Sequence, residues 1–68
     1  MVTIGDNIRK YRKKKNLTQK ELGDIVRISN TYLSDMEIGR TNPSIKTLKR
    51  IAKGLGISYV DLLRDTEE

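Results

Sequence analysis

The chain has 68 residues, with 14 Lys and Arg against 9 Asp and Glu, and it contains neither Cys nor His. Those two absences exclude disulfides, thiolate chemistry, the common zinc sites and an imidazole general base. A chain this short makes one domain that buries about 60% of its unfolded surface, and no apolar run approaches the roughly 20 residues needed to span a bilayer.

In chain order, Ile4, Ile8 and Tyr11 or Arg12 share one face of a first helix, at about residues 4–14, which Asn16 ends. Thr18-Gln19-Lys20-Glu21 is a capping box: the Thr hydroxyl takes the Glu21 amide and the Glu side chain returns to the Thr18 amide. Leu22, Ile25 and Val26 form the expected buried stripe of a second helix. Ser29 caps a third, striped by Leu33, Met36 and Glu37, and Gly39 supplies a left-handed residue past its end. Asn42-Pro43-Ser44 is a turn followed by another cap. Ile45, Leu48, Ile51, Ala52 and Leu55 stripe a fourth helix, stopped by Gly56, and Ser58 caps a last short helix carrying Val60, Leu62 and Leu63. No segment alternates with period two, so no strands are expected. The reading is an all-α domain of five helices over residues 1–64, with an acidic tail, 65–68, that should fray.

The charge is unevenly spread. Residues 1–64 carry 14 basic and 6 acidic groups, a net +8, because Asp65, Glu67 and Glu68 crowd the end. A basic body points to polyanionic partners, nucleic acid first and anionic membrane second. The N-terminus lacks the basic-then-apolar pattern of a signal peptide, so the expected location is the cytoplasm, with no membrane association. No nucleophile–base pair, metal cluster or phosphate loop is visible. No catalytic residue, cofactor, metal or small-molecule ligand is therefore expected, and the chain is not read as an enzyme.

The third helix, about residues 30–38, makes a rod roughly 12–14 Å long, and the B-DNA major groove is about 12 Å wide. With Leu33 and Met36 inward, its opposite face centres on Thr31 and Asp35, with Asn30 and Ser34 beside them. Asn30 can pair bidentately with adenine, while Thr31 and Ser34 can donate, accept or pack on a methyl. Asp35 can accept from a cytosine amino group or orient a basic neighbour. The plain alternative is a solvated helix, but such a helix would be richer in Lys and Glu. The run Lys10-Tyr11-Arg12-Lys13-Lys14-Lys15 suits a nucleic-acid patch, and equally suits the macrodipole at a helix C-terminus.

Further landmarks stand in one order: Leu17-Thr18-Gln19-Lys20-Glu21-Leu22, Tyr32-Leu33-Ser34-Asp35-Met36-Glu37, Gly39-Arg40, Asn42-Pro43-Ser44 and Leu55-Gly56-Ile57-Ser58. On these, the chain from Ile8 to Leu63 resembles the phage repressor and Cro-like, xenobiotic-response-element type of helix-turn-helix family. The resemblance implies a compact five-helix lambda-repressor-like domain from a bacterial or phage repressor-like transcriptional regulator. Its third helix would read double-stranded DNA. The resemblance also implies a phosphate contact from Gln19, assisted by the start of the second helix, with a plain residue at a helix start as the rival reading. Ser29, Tyr32, Arg40, Thr41 and Asn42 would hold the DNA backbone beside it, although partial core packing suits Tyr32 nearly as well.

Arg12 and Glu37 lie on otherwise buried faces, and in similar proteins such a pair forms a structural ion pair. Gly23 falls where the second and third helices cross closely. Relatives bind as homodimers on near-palindromic operators, with half-sites about 10 base pairs apart or a multiple of that. Tyr59, Val60 and Leu63 are the candidate dimer surface here, and closure of the monomer core is the rival role, evenly so for Leu62. Two residues depart from the family pattern. Arg27 stands where Gly is common, at a strain of about 1–2 kcal/mol if it is left-handed. Ile38 stands where a polar residue is favoured, and a thymine methyl or a partner chain would each suit it. The alternative function is a protein-interaction module of the same fold, such as an antitoxin or an antirepressor partner.

Overall fold

A side-chain hydroxyl opens each helix. Thr3 accepts from the Asp6 amide at the start of α1 (Ile4–Lys14), Thr18 from Glu21 in α2 (Gln19–Val26) and Ser29 from Tyr32 in α3 (Asn30–Glu37). Ser44 accepts from Thr47 in α4 (Ile45–Leu55), and Ser58 from Val60 in α5 (Tyr59–Leu63). Asp6, Glu21 and Asp61 return the bond to the capping residue's own amide. Each cap contributes about 1 kcal/mol, which matters because helices this short do not stand alone in water. The structure, a computed structural model, describes residues 2–66.

Left-handed residues turn the chain out of the first four helices: Asn16 (φ 58°), Arg27 (φ 62°), Gly39 (φ 80°) and Gly56 (φ 71°). Arg27 therefore carries the strain that Gly would avoid. Arg50 of α4 braces the same turn. Its guanidinium donates to the carbonyls of Val26 at 2.6 Å and Arg27 at 3.2 Å, which satisfies acceptors at the end of α2 and ties them to α4.

The helices pack α1 on α3 and α5, α2 on α3 and α4, and α4 on α5. Ile8, Leu22, Leu33, Met36, Ile51, Leu55 and Leu62 form the fully enclosed centre. Two expected core residues are not there. Ile25 is 54% exposed, because Gly23 completes the buried face of α2 beside Leu22 and Val26 and rotates Ile25 to the flank. Ile45 is 60% exposed, since the first turn of α4 projects past the core that Leu48 enters.

A buried polar residue joins α1 to the end of α5. Asn7 sits on the apolar stripe of α1, and its Nδ2 donates to the carbonyls of Leu62 at 2.9 Å and Arg64 at 3.0 Å. Beyond α5, Asp65 is left-handed and Thr66 forms an isolated parallel bridge with Val2. Of the tail expected to fray, Asp65 and Thr66 are described, and Glu67 and Glu68 lie outside the described residues.

Candidate nucleic-acid interface

Three close approaches fix α3. At its entry, Ile28 is buried in the turn, and Gly23 lies so close beneath that a Cβ there would come within 2.6 Å of the Ile28 carbonyl oxygen. At its exit, Gly5 of α1 meets the carbonyl oxygens of Met36 and Glu37, and a Cβ on Gly5 would stand 2.6 Å from the latter. Neither glycine can gain a side chain unless a helix moves.

Arg12 and Glu37 supply the third fixture. Arg12 Nε donates to Glu37 Oε2 at 2.7 Å, Nη2 to Oε1 at 3.1 Å and Nη1 to the Leu17 carbonyl at 2.7 Å. Both residues are buried. Gln19 joins them, donating from Nε2 to Glu37 Oε1 at 3.1 Å. One carboxylate on α3 therefore binds α1, the start of α2 and, through Arg12, the loop at Leu17. The planar guanidinium suits this, because its forked donors match a carboxylate and a carbonyl at once.

With Leu33, Met36 and Glu37 buried, the other side of α3 faces outward. Asn30 and Thr31 are exposed, and Ser34 and Asp35 are half-buried beside them. These four residues lie along one helix of eight residues, about 12 Å long. Among the described residues Asp35 makes no ion pair, so its carboxylate is left to accept from an incoming donor.

The expected backbone-contacting residues frame this face unevenly. Ser29 is exposed, with its hydroxyl engaged as the cap of α3. Gln19 is half-buried by its bond to Glu37, but its amide nitrogen keeps a second hydrogen for an outside acceptor. Tyr32 packs partly against the core. Arg40 and Asn42 are exposed and Thr41 is half-buried in the loop after α3, where the Arg40 amide donates to the Asp35 carbonyl at 2.8 Å.

Away from this face, Lys10 and Lys14 stand over the Tyr11 ring at 5.2 and 5.4 Å, so two cations of the basic run are held on α1. On α5, Val60 is 61% exposed, while Tyr59 and Leu63 pack partly on the core and Leu62 is wholly inside it. Sequence reasoning missed Gly5, Asn7, Arg50 and the Gln19–Glu37 bond. Only Asn7 left a signal, as a polar residue one turn from Ile4 on an apolar stripe.

The helix-turn-helix family (HTH_3) matches residues 8–62 of the chain. A protein named as an uncharacterized HTH-type transcriptional regulator, y4dJ, from Sinorhizobium fredii is 42% identical over 65 residues, spanning 96% of this chain and 84% of that protein. The immunity repressor protein of Bacillus phage phi105 is 43% identical over 56 residues, 82% of this chain but 39% of the repressor, so the chain spans less than half of that relative. Among solved structures, the master regulator for biofilm formation SinR, crystallised in complex with DNA, superposes with a TM-score of 0.85 at 37% identity. That match covers 90% of this chain and 98% of the SinR chain.

Proposed function

The chain belongs to the helix-turn-helix family, and from that premise we propose that it is a sequence-specific, double-stranded DNA-binding transcriptional regulator of the repressor-like type. The observation that carries this reading is the outward polar face of α3, held at both ends by close backbone contacts and by the Arg12–Glu37 pair. In this reading α3 lies in the major groove, with Asn30, Thr31, Ser34 and Asp35 on the base edges. Gln19, Ser29, Tyr32, Arg40, Thr41 and Asn42 hold the flanking phosphates and set the register.

One module touches too few bases for high specificity, so the working unit is a homodimer on a near-palindromic operator. In this reading the dimer surface centres on Val60, which is exposed, with Tyr59 and Leu63 beside it. No helix among the described residues is long and apolar enough to cross a membrane, and a cytoplasmic role beside DNA fits the basic body. No catalytic role forms part of this reading.

Titration with salt tests it. A dimer engaging about 6 or more phosphates loses about 10³-fold or more in DNA affinity between 50 and 200 mM salt. That steep fall, measured by fluorescence anisotropy, is the expected result. Binding that stays flat with salt would favour the protein-interaction module instead.

A further inference from the structure

The outward stripe of α3 runs one turn further than Asp35. The Ile38 amide still donates to the Ser34 carbonyl at 3.2 Å, while its backbone (φ −96°, ψ 5°) leaves the helix through the bridge region. At about 100° per residue, its Cα follows the helix to within about 20° of Thr31 and about 60° of Asp35 around the axis. Thr31, Asp35 and Ile38 therefore form one i, i+4, i+7 row. Ile38 is 62% exposed, the most exposed large hydrophobic among the described residues.

An aliphatic side chain neither donates nor accepts a hydrogen bond. In the major groove the group that answers it is the C5 methyl of thymine. We propose that Ile38 is a specificity-determining residue that packs on a thymine methyl in each half-site. The proposal rests on the reading that α3 enters the major groove. The surroundings favour DNA over a partner chain: Arg40, Thr41 and Asn42 follow directly, and the candidate dimer surface is on α5, which packs on α1 and α4. Seven residues of helix span about 10.5 Å, or about three base steps at 3.4 Å each. The thymine therefore lies no more than about three steps from the base met by Thr31.

The test uses operator duplexes taken from a selected motif, with deoxyuridine replacing each thymidine in turn. Uracil keeps every hydrogen-bonding group and loses only the methyl. At one thymine per half-site, the wild-type protein should bind the uracil duplex about fourfold more weakly, or about 15-fold with both half-sites changed, as expected for one buried methyl group each. Ile38→Ala should bind the thymine and uracil duplexes equally, with an unchanged melting temperature because the side chain is exposed. A motif whose binding is indifferent to uracil at every thymine would overturn the Ile38 contact while leaving DNA reading intact. A uracil penalty that survives in Ile38→Ala assigns the methyl to another residue and also overturns it. A shift in monomer–dimer balance in Ile38→Ala, without loss of thymine preference, would place Ile38 against a partner chain. Failure to obtain any motif would remove the underlying reading and the proposal with it.

Discussion

Glu37→Leu should destabilise the domain by about 3–5 kcal/mol, and Arg12→Met by a similar amount, whereas the double variant should recover most of the loss. The reason is burial. Arg12 is 9% exposed and Glu37 5%, so neither charge can turn to water when its partner is removed. Without Glu37 the guanidinium keeps only the Leu17 carbonyl, and Gln19 loses its acceptor as well. An uncompensated buried charge costs more than the intact pair contributes, and two apolar side chains of similar volume are tolerated. A domain of this size has a total stability of roughly 3–10 kcal/mol, so either single variant sits near the edge of folding. Urea denaturation of the four proteins in a double-mutant cycle measures the effect. Equal midpoints for wild type and both single variants would show that the pair does not hold α1 to α3.

Asn7→Leu should cost about 3 kcal/mol, although the replacement is apolar, similar in size and placed in a buried position. The Asn7 amide is a shared donor for the Leu62 and Arg64 carbonyls. A leucine leaves both acceptors without a partner, and an unsatisfied buried carbonyl costs about 1–3 kcal/mol. The loss is directional in the structure, since these bonds join α1 to the end of α5. Hydrogen exchange should show amides of α5 losing protection ahead of those of α3. Unchanged protection across α5, with an unchanged denaturation midpoint, would mean that water replaces the amide without penalty.

Local chemistry was the legible part of this fold. The Thr18 capping box, the Ser29 cap and the turn at Gly39 each involve residues within a few positions of one another, and each stands where the sequence placed it. Long-range placement was less legible. Ile25 and Ile45 are as apolar as Leu22 and Leu48, and only the neighbouring helices decide which of them is covered. Arg50 could not be read at all, because its acceptors are backbone carbonyls 23 and 24 residues away that carry no side-chain signature. Asn7 could have been read: it occupies a core position of an apolar stripe, and a polar residue there needs partners.

The candidate site divides in the same way. The outward face of α3 follows from which residues point in, so Asn30, Thr31, Ser34 and Asp35 were legible from helical periodicity alone. The expectation that Arg12 meets Glu37 combined their positions on buried faces with the family resemblance. The third partner, Gln19, was read as a phosphate contact or a plain residue at a helix start, and neither reading held its bond to Glu37. In the proposed reading, phosphate contact and frame would share one side chain at the start of α2. Arg27 takes the left-handed conformation despite its strain, and Arg50 bonds the strained turn from the far side.

Selection of bound duplexes from a random DNA library, using the intact chain, tests the central claim most directly. The expected result is an enriched, near-palindromic motif whose half-sites lie about 10 base pairs apart or a multiple of that. Repeating the selection with Asn30→Ala should relax one position per half-site and leave the rest of the motif in place. Recovery of duplexes with no common motif would contradict sequence reading by α3. An identical motif from Asn30→Ala would remove Asn30 from the residues that perform it.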